Sequence, residues 1–246
     1  MSKPLFHLIP IVLYSYTIWY DQMYIEIPCN YQVRTTNRRR GWLGALRWWW
    51  WWLSGGYFFL LFFFPFQVLQ TIYFAVALLN DVFGTNANTT KRPLIRVVKD
   101  LLFSLAFPIA LYVSVMFWAI YALDKDLILP EPLAKVIPGW VNHVMHTLIA
   151  PFIIIELLFS NRTYPSRKVG ITQTLIFTIV YSVWVLIAYT MTGVWVYPIL
   201  DVMSWTLRII FFSASTAAEV GVYLVGEKLD SLVSTAPKRL PEKKKQ

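Results

Sequence analysis

The feature that most constrains this chain is a series of apolar runs of about twenty residues, the length at which a helix crosses the hydrocarbon core of a bilayer. Hydrophobic residues make up 57% of the 246 residues and charged residues only 14%. Such a composition is typical of an integral membrane protein. We therefore predict an all-α, polytopic membrane helix bundle with about six transmembrane helices. The apolar runs lie at about 4–20, 57–80, 101–123, 139–159, 171–191 and 206–226.

No internal repeat divides the chain, so we expect one domain. The predicted transmembrane bundle covers residues 1–233, and a basic cytosolic tail follows at 234–246. The first run has no small-residue cleavage site after it, which favours an uncleaved signal anchor. The apolar stretch 194–203 is too short to cross a bilayer and contains a proline, which predicts an interfacial or re-entrant segment.

Lysine and arginine are concentrated in alternate loops and in the tail, which favours a topology with both termini in the cytosol. The net charge of +9 is expected to meet anionic lipid headgroups, and no nucleic-acid-binding module is recognisable. The KKKQ ending matches the dilysine signal for return to the endoplasmic reticulum. The alternative is a polybasic tail that is attracted to the membrane surface.

One loop, at 34–56, breaks the charge rule because it is rich in arginine on the side opposite the cytosol. It also contains five consecutive tryptophans, Trp48 to Trp52. Indole rings partition to the headgroup region, so this run is compatible with an interfacial position. The alternative is that the stretch departs from the natural protein, for instance through a shifted reading frame.

A histidine pair inside the fourth apolar run is the strongest candidate for chemistry. His143 and His146 are three residues apart and therefore share a helix face, and Asn142 precedes His146 by four residues. Histidine at membrane depth is costly and is the usual proton-transfer residue near neutral pH. The structural alternative is a helix end near the interface with both rings hydrogen-bonded to their neighbours.

The sequence contains no Cys/His metal cluster and no glycine-rich phosphate loop, so we predict no metal and no cofactor. Glu156 could join the histidines only if the helix bent, since it lies about 15 Å further along. Glu219, in the last run, is expected to face the bundle, where it would either handle protons or remain a buried, hydrogen-bonded carboxyl.

Several long strings resemble a known family of membrane proteins, the androgen-induced and androgen-dependent TFPI-regulating proteins. These strings are FWAIYALDKDLILP, IPGWVNHVMHT, YPSR, TGVWVYP and RIIFF. The resemblance covers roughly 67–233. It implies a multi-span hydrolase of fatty acid esters of hydroxy fatty acids, with a threonine nucleophile and a histidine partner. The second histidine of the N-H-x-x-H string corresponds to His146.

The threonine of that family does not carry over. The resemblance places it seven residues before a glutamine, and counting back from Gln70 gives Phe63. A phenyl ring cannot attack an ester. Thr71 lies about 12 Å deeper along the helix, and Ser54 lies in the unusual loop.

Two functions therefore remain open. The first is a lipid-ester hydrolase in which His146 is catalytic, Asn142 and His143 support it, and the substrate is a fatty-acyl ester. The second is a non-catalytic lipid-binding or regulatory membrane protein of the same fold, for which Phe63 at the nucleophile position is the main argument.

Overall fold

The computed structural model describes residues 3–25, 65–86, 92–193 and 195–233. Within these ranges every regular element is helical, as predicted. The helices are α1 (Lys3–Tyr24), α2 (Pro65–Phe83), α3 (Leu94–Leu123), a 3₁₀ turn (Lys125–Leu127), α4 (Glu131–Ala134), α5 (Gly139–His146), α6 (Ile149–Phe159), α7 (Arg167–Thr192), α8 (Pro198–Asp201) and α9 (Trp205–Val233).

Five segments are long and apolar enough to cross a membrane. They are Phe66–Phe83, Leu94–Leu123, Gly139–Phe159, Arg167–Thr190 and Trp205–Val233. The prediction of an all-α polytopic membrane bundle is therefore confirmed. Helix α1 is not one of these five because its apolar positions are interrupted by His7, by tyrosines and by Asp21.

Helix α1 nevertheless runs along the whole bundle. Near its start, His7 contacts Glu156 of α6, and near its end, the Tyr20 ring lies 4.9 Å from that of Trp140 of α5. Its 22 residues extend over about 33 Å, which matches a hydrocarbon core of about 30 Å. Its packing thus places α1 beside the five apolar segments as a sixth helix of comparable length.

The bundle has two ends, which we name by the histidines they contain. The His7 end holds the start of α1, the end of α2, the start of α3 and the ends of α6 and α9, joined by buried polar contacts. The His146 end holds the opposite ends of these helices together with α5 and α8. Between the two ends lies a core that includes Tyr73, Phe74, Phe103 and Phe107, all with no exposed surface.

The helices extend beyond the apolar runs from which they were predicted. Helix α3 begins at Leu94 rather than near residue 101. Its first turns carry Arg96, Lys99 and Asp100, which are polar but buried. Hydrophobicity alone marks them as loop, but contacts at the His7 end allow them to remain helical.

The predicted single helix at 139–159 is in fact two helices, α5 and α6, separated at Thr147 and Leu148. Pro151 explains the break because proline has no N–H to donate to the carbonyl four residues earlier, and its ring collides with that carbonyl. The described residues of the stretch predicted at 194–203 include the short helix α8 (Pro198–Asp201), which lies between α7 and α9 and is too short to cross the bundle. The unusual loop at 34–56 and the tail at 234–246 lie outside the described residues, and the single-domain boundary at residue 233 stays a prediction.

Candidate functional site

His146 is the last residue of α5, and its imidazole is held from two sides. Its Nδ1 lies 3.0 Å from Oδ1 of Asn142 and 3.2 Å from the Asn142 carbonyl oxygen. These are the contacts expected from the four-residue spacing. Its ring also stacks on Phe117 of α3, with 3.7 Å between centroids and 9° between planes. The ring therefore has a defined orientation in the bundle.

The hydrogen bonds of His146 determine which of its nitrogens can act as a base. A carbonyl oxygen only accepts, so Nδ1 carries the hydrogen and donates it to Asn142. Nε2 then holds the free lone pair of the neutral ring. Among the described residues, Nε2 has no hydrogen-bond partner. The arrangement leaves one nitrogen able to take a proton from a bound group.

His143 occupies a different environment from His146. It is exposed, and its Nδ1 lies 3.0 Å from Oγ1 of Thr147. The same Thr147 oxygen accepts a hydrogen bond of 3.2 Å from the Trp118 indole. The two histidines thus contact neighbouring residues of α3, and their rings do not form one pair.

Two candidate hydroxyl groups, those of Ser114 and Thr71, each donate to a backbone carbonyl oxygen. Ser114 donates to the His146 carbonyl oxygen over 2.6 Å, which ties α3 to the break between α5 and α6. Thr71 donates to the Gln67 carbonyl oxygen of its own helix over 2.9 Å. Phe63 and Ser54 lie outside the described residues, so the nucleophile position stays a prediction.

Glu156 does not join the histidines of α5 but lies at the opposite end of the bundle. One of its carboxylate oxygens lies 2.8 Å from Nε2 of His7, and the other accepts a 2.6 Å hydrogen bond from Tyr73. Among the described residues no three His, Cys, Asp or Glu side chains are grouped to hold a metal ion.

The His7 end contains a buried network of charged groups that sequence reasoning missed. His7 is only 1% exposed and lies between two carboxylates, with Nδ1 2.9 Å from Asp81 and Nε2 2.8 Å from Glu156. An imidazolium is the form that donates from both nitrogens. The other buried charged groups here are Arg96, Lys99, Asp100, Arg162 and Asp230. The sequence offers one indication of this network, the histidine inside the first apolar run, because ionisable groups at membrane depth usually have partners.

Arg162 closes the network on the side of α9. Its Nη2 donates to carbonyl oxygens at the end of α6, those of Glu156, Leu157 and Ser160. Its Nη1 lies 3.6 Å from Asp230 of α9. A cation at a helix C-terminus is favourable, and here it also joins two helices.

Glu219 faces the bundle, as predicted. It is only 5% exposed, and its carboxylate accepts a hydrogen bond from Thr178 of α7. Nearby, the hydroxyl groups of Tyr181 and Tyr197 are hydrogen-bonded to each other. These contacts join α7 to α9 and to the segment that precedes α8.

Comparison with known proteins identifies the family. The family model described as FAR-17a/AIG1-like protein matches residues 2–231. The chain belongs to this family. It is 38% identical to the human androgen-induced gene 1 protein over 185 residues, which is 72% of this chain and 78% of that protein. It is 40% identical to the mouse androgen-dependent TFPI-regulating protein over 164 residues, 66% of this chain and 71% of that protein.

A more distant relative of this FAR-17a/AIG1-like protein is a fission yeast UPF0641 membrane protein (Schizosaccharomyces pombe). It is 25% identical over 178 residues, which is 71% of this chain and 79% of the relative. No solved structure matches. Family membership and the five apolar segments together support an integral membrane location.

Proposed function

We propose that this FAR-17a/AIG1-like protein is built as an intramembrane hydrolase of fatty acid esters of hydroxy fatty acids, with His146 as the proton-transfer residue. The observation that carries this proposal is the orientation of the His146 ring, which Asn142 and Phe117 fix and whose Nε2 has no hydrogen-bond partner among the described residues. A positioned base with a defined tautomer is what acyl transfer to a hydroxyl requires.

The depth of His146 supports an amphiphilic ester as the substrate. Trp140 is the second residue of the same helix and is 40% exposed beside the rings of Tyr16 and Tyr20. Such aromatic groups favour the headgroup level of a membrane. His146 lies six residues further, about 9 Å deeper. An ester at that depth would have its acyl chains in the hydrocarbon core.

In the proposed reaction, Nε2 of His146 takes the proton of a hydroxyl nucleophile as its oxygen attacks the ester carbon. The leaving hydroxy fatty acid takes that proton as its C–O bond breaks, and the acyl group remains on the protein. A water molecule then attacks the acyl carbon while the same histidine takes a proton from it, and that proton passes to the oxygen of the nucleophile as the bond to the acyl group breaks and the fatty acid leaves. Asn142 acts as a positioning residue, and the reaction uses no cofactor.

The sequence argues against a hydroxyl nucleophile at the position that the family resemblance implies, because that position is occupied by Phe63. This observation favours the second candidate, a non-catalytic lipid-binding or regulatory membrane protein of the same fold. In that case His146 would be a remnant, and the chain would bind the ester without cleaving it.

The test compares four purified full-length proteins on one fatty acid ester of a hydroxy fatty acid. They are the unchanged chain, Phe63→Thr, and Phe63→Thr combined with either His146→Ala or His143→Ala. We expect little turnover by the unchanged chain, a gain with Phe63→Thr, loss of that gain with His146→Ala, and its survival with His143→Ala. Labelling by a fluorophosphonate probe should be strong in the proteins that cleave the ester and weak in those that do not.

Two results would overturn parts of the proposal. Turnover that is unaffected by His146→Ala would exclude His146 as the base. If the unchanged chain binds the ester but neither it nor Phe63→Thr cleaves it, the non-catalytic candidate is correct. If the unchanged chain turns the ester over strongly, His146→Ala is made in that background as well. Loss of turnover there would support His146 as the base and make Thr71 and Ser54 the next candidates for the nucleophile.

We also propose residence in the endoplasmic reticulum, with both termini in the cytosol. Its support is the KKKQ ending and the distribution of lysine and arginine among the loops. The His7 end would then face the cytosol and the His146 end the lumen.

A further inference from the structure

Arg208 lies in an aromatic slot at the His146 end of the bundle. Its guanidinium carbon is 4.5 Å from the ring centroid of Trp195 and 4.8 Å from that of Trp205. The Tyr189 ring stacks behind Trp195 at 4.0 Å and 13°. The Nε of Arg208 donates to the Leu200 carbonyl oxygen over 2.8 Å. These contacts come from α7, the segment before α8, α8 itself and α9, so they fix the guanidinium plane.

The positive charge of Arg208 is not balanced by a carboxylate of any described residue. The side chain is only 9% exposed, yet across 3–25, 65–86, 92–193 and 195–233 no carboxylate forms an ion pair with it. Within the same ranges its Nη atoms have no acceptor. Asp201 is close in sequence but is exposed and unpaired with it. A buried cation without a counter-charge is costly, so a ligand that supplies one is favoured.

The shape of the slot indicates which anion fits. The free edge of a guanidinium presents parallel N–H groups that match the two oxygens of a carboxylate. Among the described residues Arg208 is the only cation over the rings of the slot, so a single negative charge fits better than a doubly charged phosphate. Trp205 is 57% exposed, and Leu207 and Ile209 beyond it are exposed on α9. An acyl chain leaving the slot would therefore lie along an apolar surface.

We propose that Arg208 and its aromatic slot bind the free carboxylate of a fatty acid amphiphile at the membrane interface. The inference rests on the proposed function only for the identity of the natural ligand, since an ester of a hydroxy fatty acid keeps one free carboxylate. Arg208 would be the residue that distinguishes such an acid from a neutral ester of the same length.

The experiment measures photolabelling of the full-length protein in phosphatidylcholine nanodiscs. The probe is an oleic acid that carries a diazirine and an alkyne, compared with its own methyl ester at a pH where the acid is ionised. We expect the acid to label the unchanged chain about tenfold more efficiently than the methyl ester, because charged hydrogen bonds contribute on that scale. Arg208→Gln should remove this preference, and Arg208→Lys should retain part of it.

Arg167→Gln is the matched control, since Arg167 is exposed at the His7 end and pairs with Glu227 over 2.8 Å. It should leave the preference for the acid unchanged. If Arg208→Gln fails to fold, the comparison of acid with methyl ester on the unchanged chain and on Arg208→Lys still decides the matter. Equal labelling by acid and methyl ester would overturn the proposal, and so would an undiminished preference in a folded Arg208→Gln protein.

Competition by unlabelled lipids identifies the source of the anion. Oleate should reduce labelling more than dioleoyl phosphatidic acid at equal concentration. Stronger competition by phosphatidic acid that depends on Arg208 would overturn the carboxylate assignment in favour of a lipid phosphate. The labelling needs no hydrolysis and should persist in His146→Ala. Failure of the proposed hydrolase and failure of this site are therefore distinguishable.

Discussion

Replacing His7 with phenylalanine tests whether the buried network holds α1 against the bundle. The variant keeps a ring of similar size among Phe6 and Phe74, so its main effect is to remove both nitrogens. Asp81 and Glu156 would then remain buried near each other with no cation between them. Their mutual repulsion and lost hydrogen bonds destabilise the folded state.

The expected magnitude follows from the burial of this contact. Removing one partner of a buried ion pair costs about 3–5 kcal/mol. For a domain of this size each kcal/mol lowers the melting temperature by about 2–4 °C, so we expect a decrease of roughly 6–20 °C. Lys135→Ala is the control because its ion pair with Glu131 has the same 2.8 Å length but lies on the surface. It should cost at most about 1 kcal/mol.

The assay heats detergent-solubilised protein and measures the remaining monodisperse fraction by fluorescence-detected size-exclusion chromatography. A double mutant, His7→Phe with Glu156→Leu, completes a thermodynamic cycle, and we expect a coupling of about 0.5–3 kcal/mol between the two positions. A decrease for His7→Phe no larger than that for Lys135→Ala, or additive effects in the cycle, would refute this account of α1.

Gly226→Ala should destabilise the protein by about 1–3 kcal/mol, because a Cβ there would lie 2.6 Å from the Phe107 ring. Gly221→Ala on the same helix is the control: its Cβ would meet nothing within 4 Å, so it should be neutral in the same heating assay. Equal effects of the two changes would contradict the packing of α9 on α3. Changing Lys243 and Lys244 to serine should release part of the protein to later compartments in fluorescence microscopy, and an unchanged distribution would leave the tail as a surface anchor only. Epitope tags at both termini should be stained after selective permeabilisation of the plasma membrane; a tag stained only after the inner membranes are opened would contradict the cytosolic topology.

The parts of the structure that depend on local sequence were predictable. Runs of about twenty apolar residues predict membrane-spanning helices, because the favourable free energies of transfer of the single residues into lipid add up along the run. The contact between Asn142 and His146 follows from helix geometry alone, since residues four apart lie on one face. The break after His146 is also local in origin, since Pro151 alone is enough to indicate it.

The parts that depend on distant residues were not predictable from one sequence. His7 and Glu156 are 149 residues apart, and no periodicity relates them. Hydrophobicity predicts a loop at the polar start of α3, because the burial of these residues depends on partners such as Ser160, which lies beyond α4, α5 and α6 in the sequence. The slot around Arg208 combines residues of several elements, so its shape is a property of the packing.

The contact between α1 and α6 has a consequence for how the chain is made. Helix α1 leaves the ribosome before the other described helices, and Glu156 is synthesised 149 residues after His7. During that interval Asp81 is the first of the two carboxylates to become available to His7. The first helix therefore reaches its final polar partner only when α6 enters the membrane. The contact between α1 and α6 therefore forms late in biosynthesis. In a nascent chain that is arrested before Glu156, α1 lacks this contact.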